Sequence, residues 1–177
     1  MEVKVVRYLK WIIPAVVLVA TLVALIFSGH PKVLTTGNAA PDFRLRDLRG
    51  NDFFSNRYQG RVLLINFWAT WCTYCREELP LLEDFNRRYC AMGLQTVSIL
   101  KDTNNIDLAM DISSKNSISY PILLDKDEEL FKSFGAYALP QTVLVDRSGK
   151  IRFIHIGFNP KDEPLLEKEI LRLLEEK

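Results

Sequence analysis

Cysteine is scarce in this chain, with three residues among 177. Three cysteines are too few for the disulfide framework that holds small secreted domains together, whereas one pair with one residue left over is typical of a redox pair. An excess of charge is also lacking, since the formal net charge is +1. This balance gives no indication of nucleic-acid binding, and we expect none. The sequence has no internal repeat and no low-complexity tract.

One long apolar run is present near the N-terminus. It is uncharged over 17 residues, from Trp11 to Phe27, and Ser28 and Gly29 extend it slightly. As a helix rising about 1.5 Å per residue it would span roughly 25 Å, near the lower limit for crossing a bilayer. Basic residues precede it, and the positive-inside rule then places the N-terminus in the cytoplasm. These residues are Lys4, Arg7 and Lys10.

Two interpretations of this run are open, an uncleaved anchor and a cleaved signal peptide. A signal peptide has an apolar core of about 7–15 residues followed by a small-residue cleavage site. The core here is longer, and residues 27–31 (FSGHP) make a poor site. We therefore predict an N-terminal stub and transmembrane anchor over residues 1–29, a linker over 30–37 and an extracytoplasmic domain over 38–177.

The rest of the chain is organised around the stretch WATWCTYC, residues 68–75. An apolar run from Val62 to Phe67 leads into it and predicts a buried strand. Helical spacing from about Thr73 to Tyr89 leads out of it. Two cysteines three positions apart at this junction can close a disulfide, and they place Cys72 at a helix N-terminus, which favours the thiolate.

The two cysteines are predicted to have different roles. Cys72 attacks a substrate disulfide as the thiolate, and Cys75, one turn further along the helix, resolves the mixed disulfide. A C-x-x-C can also be half of a zinc site. A second pair of ligands at zinc-finger spacing does not follow in this sequence, so we expect no metal and no cofactor other than the redox-active disulfide.

The remaining segments predict an α/β fold. Residues 42–48 alternate between polar and apolar, and Phe53-Phe54 forms a returning strand. The chain then runs strand, helix, strand, helix, hairpin and terminal helix, which predicts a mixed sheet with helices on both faces and a right-handed crossover. The predicted elements after the cysteine helix are a strand over 94–100, helices over 104–116, 127–134 and 162–176, a short extended segment over 120–124, and a hairpin over 142–156.

Several motifs together resemble the thioredoxin fold, and more narrowly the membrane-tethered thiol-disulfide oxidoreductases of the TlpA/ResA/CcmG type. These motifs are Ala40-Pro41-Asp42-Phe43, which opens an added N-terminal hairpin, the sequence NFWATWC over 66–72, the sequence CREELP over 75–80, and Leu139-Pro140-Gln141-Thr142 before the hairpin. The resemblance covers about residues 38–175. The segment from Lys101 to Asp125 is an insertion relative to plain thioredoxin.

The resemblance carries expectations about the substrate site. It implies that Pro140 is a cis-proline facing the disulfide and that the backbone of Leu139 pairs with an extended substrate strand. Trp71, Thr73 and Tyr74 surround the cysteines and are predicted to contact the substrate, with Trp71 shielding the site. Trp68 is predicted to be a core residue.

The resemblance also implies a location and a set of partners. Reductive members supply electrons for cytochrome c maturation or for repair of extracytoplasmic disulfides. We therefore expect protein substrates such as apocytochrome c, a transmembrane thiol electron donor, and a periplasmic or equivalent location. An oxidant or isomerase of secreted proteins, a thiol peroxidase and a non-catalytic binding module remain as alternatives.

Two departures from the family pattern concern the chemistry. The dipeptide Thr73-Tyr74 lacks the proline common in this group, so the redox potential cannot be carried over. Asn66 stands where cytoplasmic thioredoxins have a buried aspartate that accepts protons, and an amide cannot titrate.

Glu78 is the predicted replacement for that proton acceptor. It lies three residues after Cys75, on the same face of the helix, whereas Glu77 is rotated away. The resemblance also places an acidic residue here in reductive members. The alternative is a solvated carboxylate that only favours the positive end of the helix. Cys90 and His155 are predicted to be structural residues, Cys90 as a buried thiol.

Overall fold

The computed structural model describes residues 12–23 and 33–176, which fall into two compact units divided between residues 32 and 33. The first unit contains a helix over residues 12–23 with exposed side chains. Among the helices of the described residues, none is long and apolar enough to cross a membrane. Trp11 and residues 24–29 of the predicted anchor lie outside the described residues, so the anchor remains a prediction.

The second unit is built from seven strands and four helices. The strands are β1 Arg44–Asp47, β2 Asp52–Phe54, β3 Val62–Trp68, β4 Leu94–Leu100, β5 Ile122–Leu124, β6 Gln141–Val145 and β7 Ile151–Ile156. The helices are α1 Thr73–Tyr89, α2 Ile106–Lys115, α3 Glu129–Ser133 and α4 Glu163–Glu175. Short 3-10 segments cover Ser55–Tyr58, Cys90–Met92 and Pro160–Asp162.

The strands form one mixed sheet in the order β2-β1-β5-β4-β3-β6-β7. The pairs β3–β4 and β4–β5 are parallel, and the other neighbouring pairs are antiparallel. The predicted mixed sheet is therefore confirmed. The predicted insertion from Lys101 to Asp125 contributes α2 and β5, and β5 joins the added hairpin β1–β2 to the main sheet.

The central strand β3 is buried along its whole length. Because successive side chains of a strand point to opposite faces, Leu64 and Trp68 enter one core and Ile65 and Phe67 enter the other. The first core is shared with α1 and α4, and the second with α3, so helices cover both faces. The same alternation places Asn66 on the face of Leu64 and Trp68, beneath α1.

Helix α1 has the bounds that its sequence spacing predicts. The Cys72 side chain caps its N-terminus by accepting a hydrogen bond from the backbone N–H of Cys75. The chain leaves through the segment Cys90–Met92 and turns at Gly93, whose φ of 110° lies in the left-handed region that glycine adopts without strain.

A buried carboxylate on α1 ties this helix to the insertion. The Glu83 carboxylate accepts a hydrogen bond from the backbone N–H of Ser119 at 2.8 Å and one from Arg87 Nε at 2.7 Å. Because the bond to Ser119 joins residues 36 positions apart, α1 is held against the chain that enters β5.

The described part of the predicted linker makes backbone contacts with the domain. The N–H of Leu34 donates to the carbonyl of Ser133, and the N–H of Gly37 donates to the carbonyl of Ile151, each at 2.8 Å. The compact unit therefore begins at Val33. The division of the chain into anchor, linker and domain stays a prediction.

Candidate functional site

A disulfide between Cys72 and Cys75 lies at the N-terminus of α1. Cys72 retains 8% of its surface exposed, whereas Cys75 is fully buried. The backbone N–H of Cys75 donates to the sulfur of Cys72 at 3.2 Å. Amide donors and the helix N-terminus both favour negative charge on that sulfur. Cys72 is thus the sulfur that a substrate can reach.

Aromatic side chains stand beside the disulfide. Trp71 is 65% exposed and Tyr74 is 62% exposed, and Thr73 between them is also exposed. Exposed aromatic rings offer apolar contact area to a protein substrate. The shielding role of Trp71 stays a prediction, while Trp68 is fully buried, as predicted.

The peptide bond between Leu139 and Pro140 is cis, as the resemblance implies. The carbonyl of Pro140 accepts a hydrogen bond from the backbone N–H of Gly157 at 2.8 Å, which fixes the entry into β6. Within the described part of the chain, the backbone of Leu139 makes no hydrogen bond. Its donor and acceptor can therefore pair with another extended strand.

Glu78 faces the interior of the domain rather than solvent. It is 3% exposed, and its carboxylate accepts hydrogen bonds from Asn66 Nδ2 at 2.7 Å and from Thr142 Oγ1 at 3.0 Å. Glu77, the next residue back, is exposed. The interpretation of Glu78 as a solvated helix carboxylate is therefore wrong, and the predicted separation of the two glutamates is confirmed.

Burial sets the protonation of this carboxyl. It raises the pKa of Glu78 to about 7, against hydrogen bonds from Thr142 and Asn66 that favour the charged form. A group with a pKa near neutrality can both take up and release a proton at physiological pH. Glu78 thus has the acid–base property that Asn66 lacks.

Sequence reasoning missed the side chains that hold Glu78. Asn66 belongs to β3 and Thr142 to β6, and the two residues are directly paired across the sheet. The family pattern identifies Asn66 only as a position that cannot titrate, whereas the structure shows it as a hydrogen-bond donor to Glu78. The two-residue alternation of β3 was the available signal, since it places Asn66 on the face that α1 covers.

The loop that carries the motif is also held by hydrogen bonds to residues that are distant in the sequence. The carboxylate of Asp102 accepts from the backbone N–H of Thr70 at 2.9 Å and from the Thr70 hydroxyl. The backbone N–H of Lys101 donates to the carbonyl of Trp68 at 3.0 Å. Nothing in the sequence indicated this pairing, because the partners lie 32 residues apart.

One structural prediction is wrong. Cys90 is an exposed free thiol rather than a buried one. It follows the last residue of α1 and opens the segment Cys90–Met92, none of whose residues is buried. The regular helix ends at Tyr89, and the 3-10 segment that follows leaves the Cys90 side chain on the surface.

Three features characterise this site. A cysteine pair lies at the N-terminus of the helix that follows the central strand, a buried carboxyl lies on that same helix, and a cis-proline precedes an antiparallel strand. These features define a thioredoxin-like thiol-disulfide oxidoreductase. Residues 35–170 match the Redoxin family model. The chain belongs to the Redoxin family, and within it to the TlpA/ResA/CcmG type.

Similar proteins agree with this assignment. The thiol-disulfide oxidoreductase ResA of Geobacillus thermodenitrificans is 27% identical over 137 residues, which cover 77% of this chain and 78% of that protein. The thioredoxin-like protein YneN of Bacillus subtilis is 30% identical over 128 residues, 72% of this chain and 75% of that protein. A crystal structure of a putative thiol:disulfide interchange protein DsbE from Chlorobium tepidum has a TM-score of 0.74 and 32% identity, covering 80% of this chain and 99% of that chain.

Proposed function

We propose that this protein is a membrane-anchored, extracytoplasmic disulfide reductase that acts on protein substrates through Cys72 and Cys75. The observation that carries the proposal is the buried carboxyl of Glu78 on the helix of the cysteine pair, with a pKa raised by burial to about 7. The redox group is the cysteine pair itself, and we propose no further cofactor.

The reaction transfers two electrons in two exchange steps. The Cys72 thiolate attacks one sulfur of the substrate disulfide, which forms a mixed disulfide and releases the other substrate sulfur as a thiolate that takes a proton from solvent. Cys75 then loses its proton and attacks the Cys72 sulfur. This step closes the Cys72–Cys75 disulfide and releases the second substrate sulfur as a thiolate, which takes a proton from solvent.

Glu78 supports both the proton transfer from Cys75 and the direction of electron flow toward the substrate. As a carboxylate it can accept the proton that Cys75 must lose. A negative charge near the cysteines also disfavours their thiolates, which opposes the effect of the helix N-terminus. A reduced form that is less stabilised gives up electrons more readily, so the carboxylate favours reduction of the substrate.

The aromatic side chains and the backbone of Leu139 would bind the substrate. An extended segment that pairs with Leu139 beside Pro140 would bring its disulfide to Cys72, with Trp71, Thr73 and Tyr74 in contact on the other side. Apocytochrome c is the proposed client. This choice rests on the resemblance to reductive members of the TlpA/ResA/CcmG type.

The proposed location rests on the sequence and on the relatives. The apolar run from Trp11 to Phe27, with basic residues before it, would hold the domain outside the cytoplasmic membrane. Cytoplasmic thioredoxin cannot reach a domain placed there. The electron donor is therefore proposed to be a transmembrane thiol carrier.

The direction of electron flow can be tested with a peptide that carries the haem-attachment pattern C-x-x-C-H as an internal disulfide. We expect the pre-reduced protein to reduce this peptide in amounts that match the protein dithiol. The Cys72→Ser variant should leave the peptide oxidised. Free thiols on the peptide, counted by alkylation and mass spectrometry, give the measurement.

The reverse reaction provides the control. The oxidised protein mixed with the reduced peptide should leave most of the peptide reduced at equilibrium. Extensive formation of the peptide disulfide in this arm would contradict a reductase and favour the oxidant alternative. Reduction of unrelated disulfide peptides at the same rate would argue against a preference for apocytochrome c.

A further inference from the structure

A row of polar side chains crosses the sheet beneath Glu78. Ser98 of β4, Asn66 of β3, Thr142 of β6 and His155 of β7 are directly paired neighbours on adjacent strands. Directly paired residues point to the same face of a sheet. Ser98 Oγ donates to Asn66 Oδ1 at 3.3 Å, and Asn66 and Thr142 both donate to Glu78. The row therefore leads from the centre of the sheet to its β7 edge.

The outer end of this row meets a small cavity of about 80 Å³. Glu78 and His155 both line it, together with Leu81 of α1 and Leu166 of α4. A water molecule needs only about 10–15 Å³ of such space. The cavity can therefore hold several water molecules between the buried carboxyl and the imidazole.

His155 is held from the side of α4. Its Nε2 lies 2.6 Å from the carboxylate of Glu169, and its side chain retains 25% exposure. A carboxylate accepts a hydrogen bond, so Nε2 carries the proton and Nδ1 of the neutral ring is left as an acceptor. Nδ1 has no hydrogen-bond partner among the described residues. This arrangement leaves Nδ1 able to accept a hydrogen bond from water in the cavity.

We propose that His155 is the outer group of a proton path from Glu78 to solvent. The inference rests on the proposed function, because it follows the proton that Cys75 gives to Glu78. Glu78 passes this proton through water in the cavity to Nδ1 of His155, and the imidazolium formed beside Glu169 releases a proton to bulk water. His155 does not touch the cysteines and acts through Glu78. Imidazole is the usual side chain for such proton transfer between about pH 5 and pH 8.

Other charged groups near the cavity favour this assignment. Asp162, just before α4, and Glu163, in the first turn of α4, line the cavity. Glu169 of α4 contacts the imidazole. The only titratable group that α1 presents to the cavity is Glu78. The other charged groups that line the cavity are acidic, so no basic side chain among the described residues there competes with His155 for the proton.

The test uses single-turnover oxidation of the pre-reduced protein by the chromogenic disulfide 5,5′-dithiobis(2-nitrobenzoate). Attack by Cys72 releases one coloured thiolate, and resolution by Cys75 releases a second. We expect His155→Gln to slow the second phase at least about fivefold and to leave the first unchanged. This is less than the 10²–10⁴ of direct acid–base catalysis, because His155 acts one step away. Added imidazole buffer should restore the second phase, and the wild type should respond little to it.

The double variant separates a proton path from a structural role. When Glu78 is already replaced by Gln, His155→Gln should have no further effect on the second phase between about pH 6 and pH 8. A second phase that is unchanged in His155→Gln would overturn the proposal. So would slowing that imidazole does not restore and that persists in the Glu78→Gln background. A wild type without any second phase would instead contradict the resolving role of Cys75, which is a failure of the proposed function.

Discussion

Replacement of Cys75 by serine is expected to abolish turnover and to trap substrates as stable mixed disulfides on Cys72. Cys72 remains at the helix N-terminus as the more accessible sulfur of the pair, so the first exchange still proceeds. Serine cannot attack the mixed disulfide, and turnover should fall to the uncatalysed background. The trapped complexes can be isolated by non-reducing electrophoresis, and the linked cysteine identified by mass spectrometry.

The matched control is Cys72→Ser, which leaves only the buried Cys75 of the pair and should trap almost nothing. Cys90 needs its own control because it is an exposed free thiol. Cys90→Ser should leave both turnover and trapping unchanged. Complexes linked through Cys75 or Cys90 would overturn the assignment of Cys72 as the attacking sulfur.

Replacement of Glu78 by Gln is expected to lower a cysteine pKa by up to about two units. A carboxylate about 5 Å from a sulfur, the spacing of neighbouring positions on a helix face, disfavours the thiolate by roughly 3 kcal/mol at an effective dielectric constant of about 20. The pKa of about 7 for Glu78 lies below the ordinary thiol value of about 8.5, so the carboxyl is charged when the thiols titrate. Thiolate absorbance against pH gives the measurement.

The same substitution should make the reduction potential less negative. Since about 30 mV corresponds to 1.4 kcal/mol for this two-electron couple, the shift is at most about 60 mV. Gln at position 78 can still accept from Asn66 or Thr142, so the fold should be retained. Glu77→Gln, on the exposed side of α1, is the matched control. Thiolate titration curves that coincide for wild type and Glu78→Gln would remove Glu78 from the tuning of the cysteines.

The centre of the fold could be predicted from the sequence because its signals are local and long. The apolar run Val62 to Phe67 and the helical spacing of Thr73 to Tyr89 predict a strand and a helix, and the structure confirms both as β3 of seven residues and α1 of 17. The strand β1 covers only Arg44–Asp47 of the predicted residues 42–48. The position of β5 between β1 and β4 depends on pairing between segments that are distant in sequence, which periodicity does not record.

The functional site likewise has some features that the sequence predicts and others that depend on contacts between distant segments. The cysteine pair and the orientation of Glu78 follow from spacing along one helix. The hydrogen bonds that hold Glu78 could not be predicted, because Thr142 lies 64 residues away and reaches Glu78 only through the antiparallel pairing of β3 and β6. The same limit applies to His155, whose partner Glu169 belongs to α4. The position of His155 near Glu78 depends on the pairing of β3 with β6 and of β6 with β7, which the sequence does not record.

The reduction potential of the wild-type Cys72–Cys75 couple tests the proposed reductase most directly. It is obtained by equilibrating the protein with dithiothreitol or glutathione redox buffers and counting free thiols by alkylation. Thiol-disulfide proteins span from about −270 mV for thioredoxin to about −120 mV for the strong oxidant DsbA. The charge of Glu78 beside the cysteines predicts a value near the reducing end of this range. A value near −120 mV would contradict the account and make the protein an oxidant of its substrates.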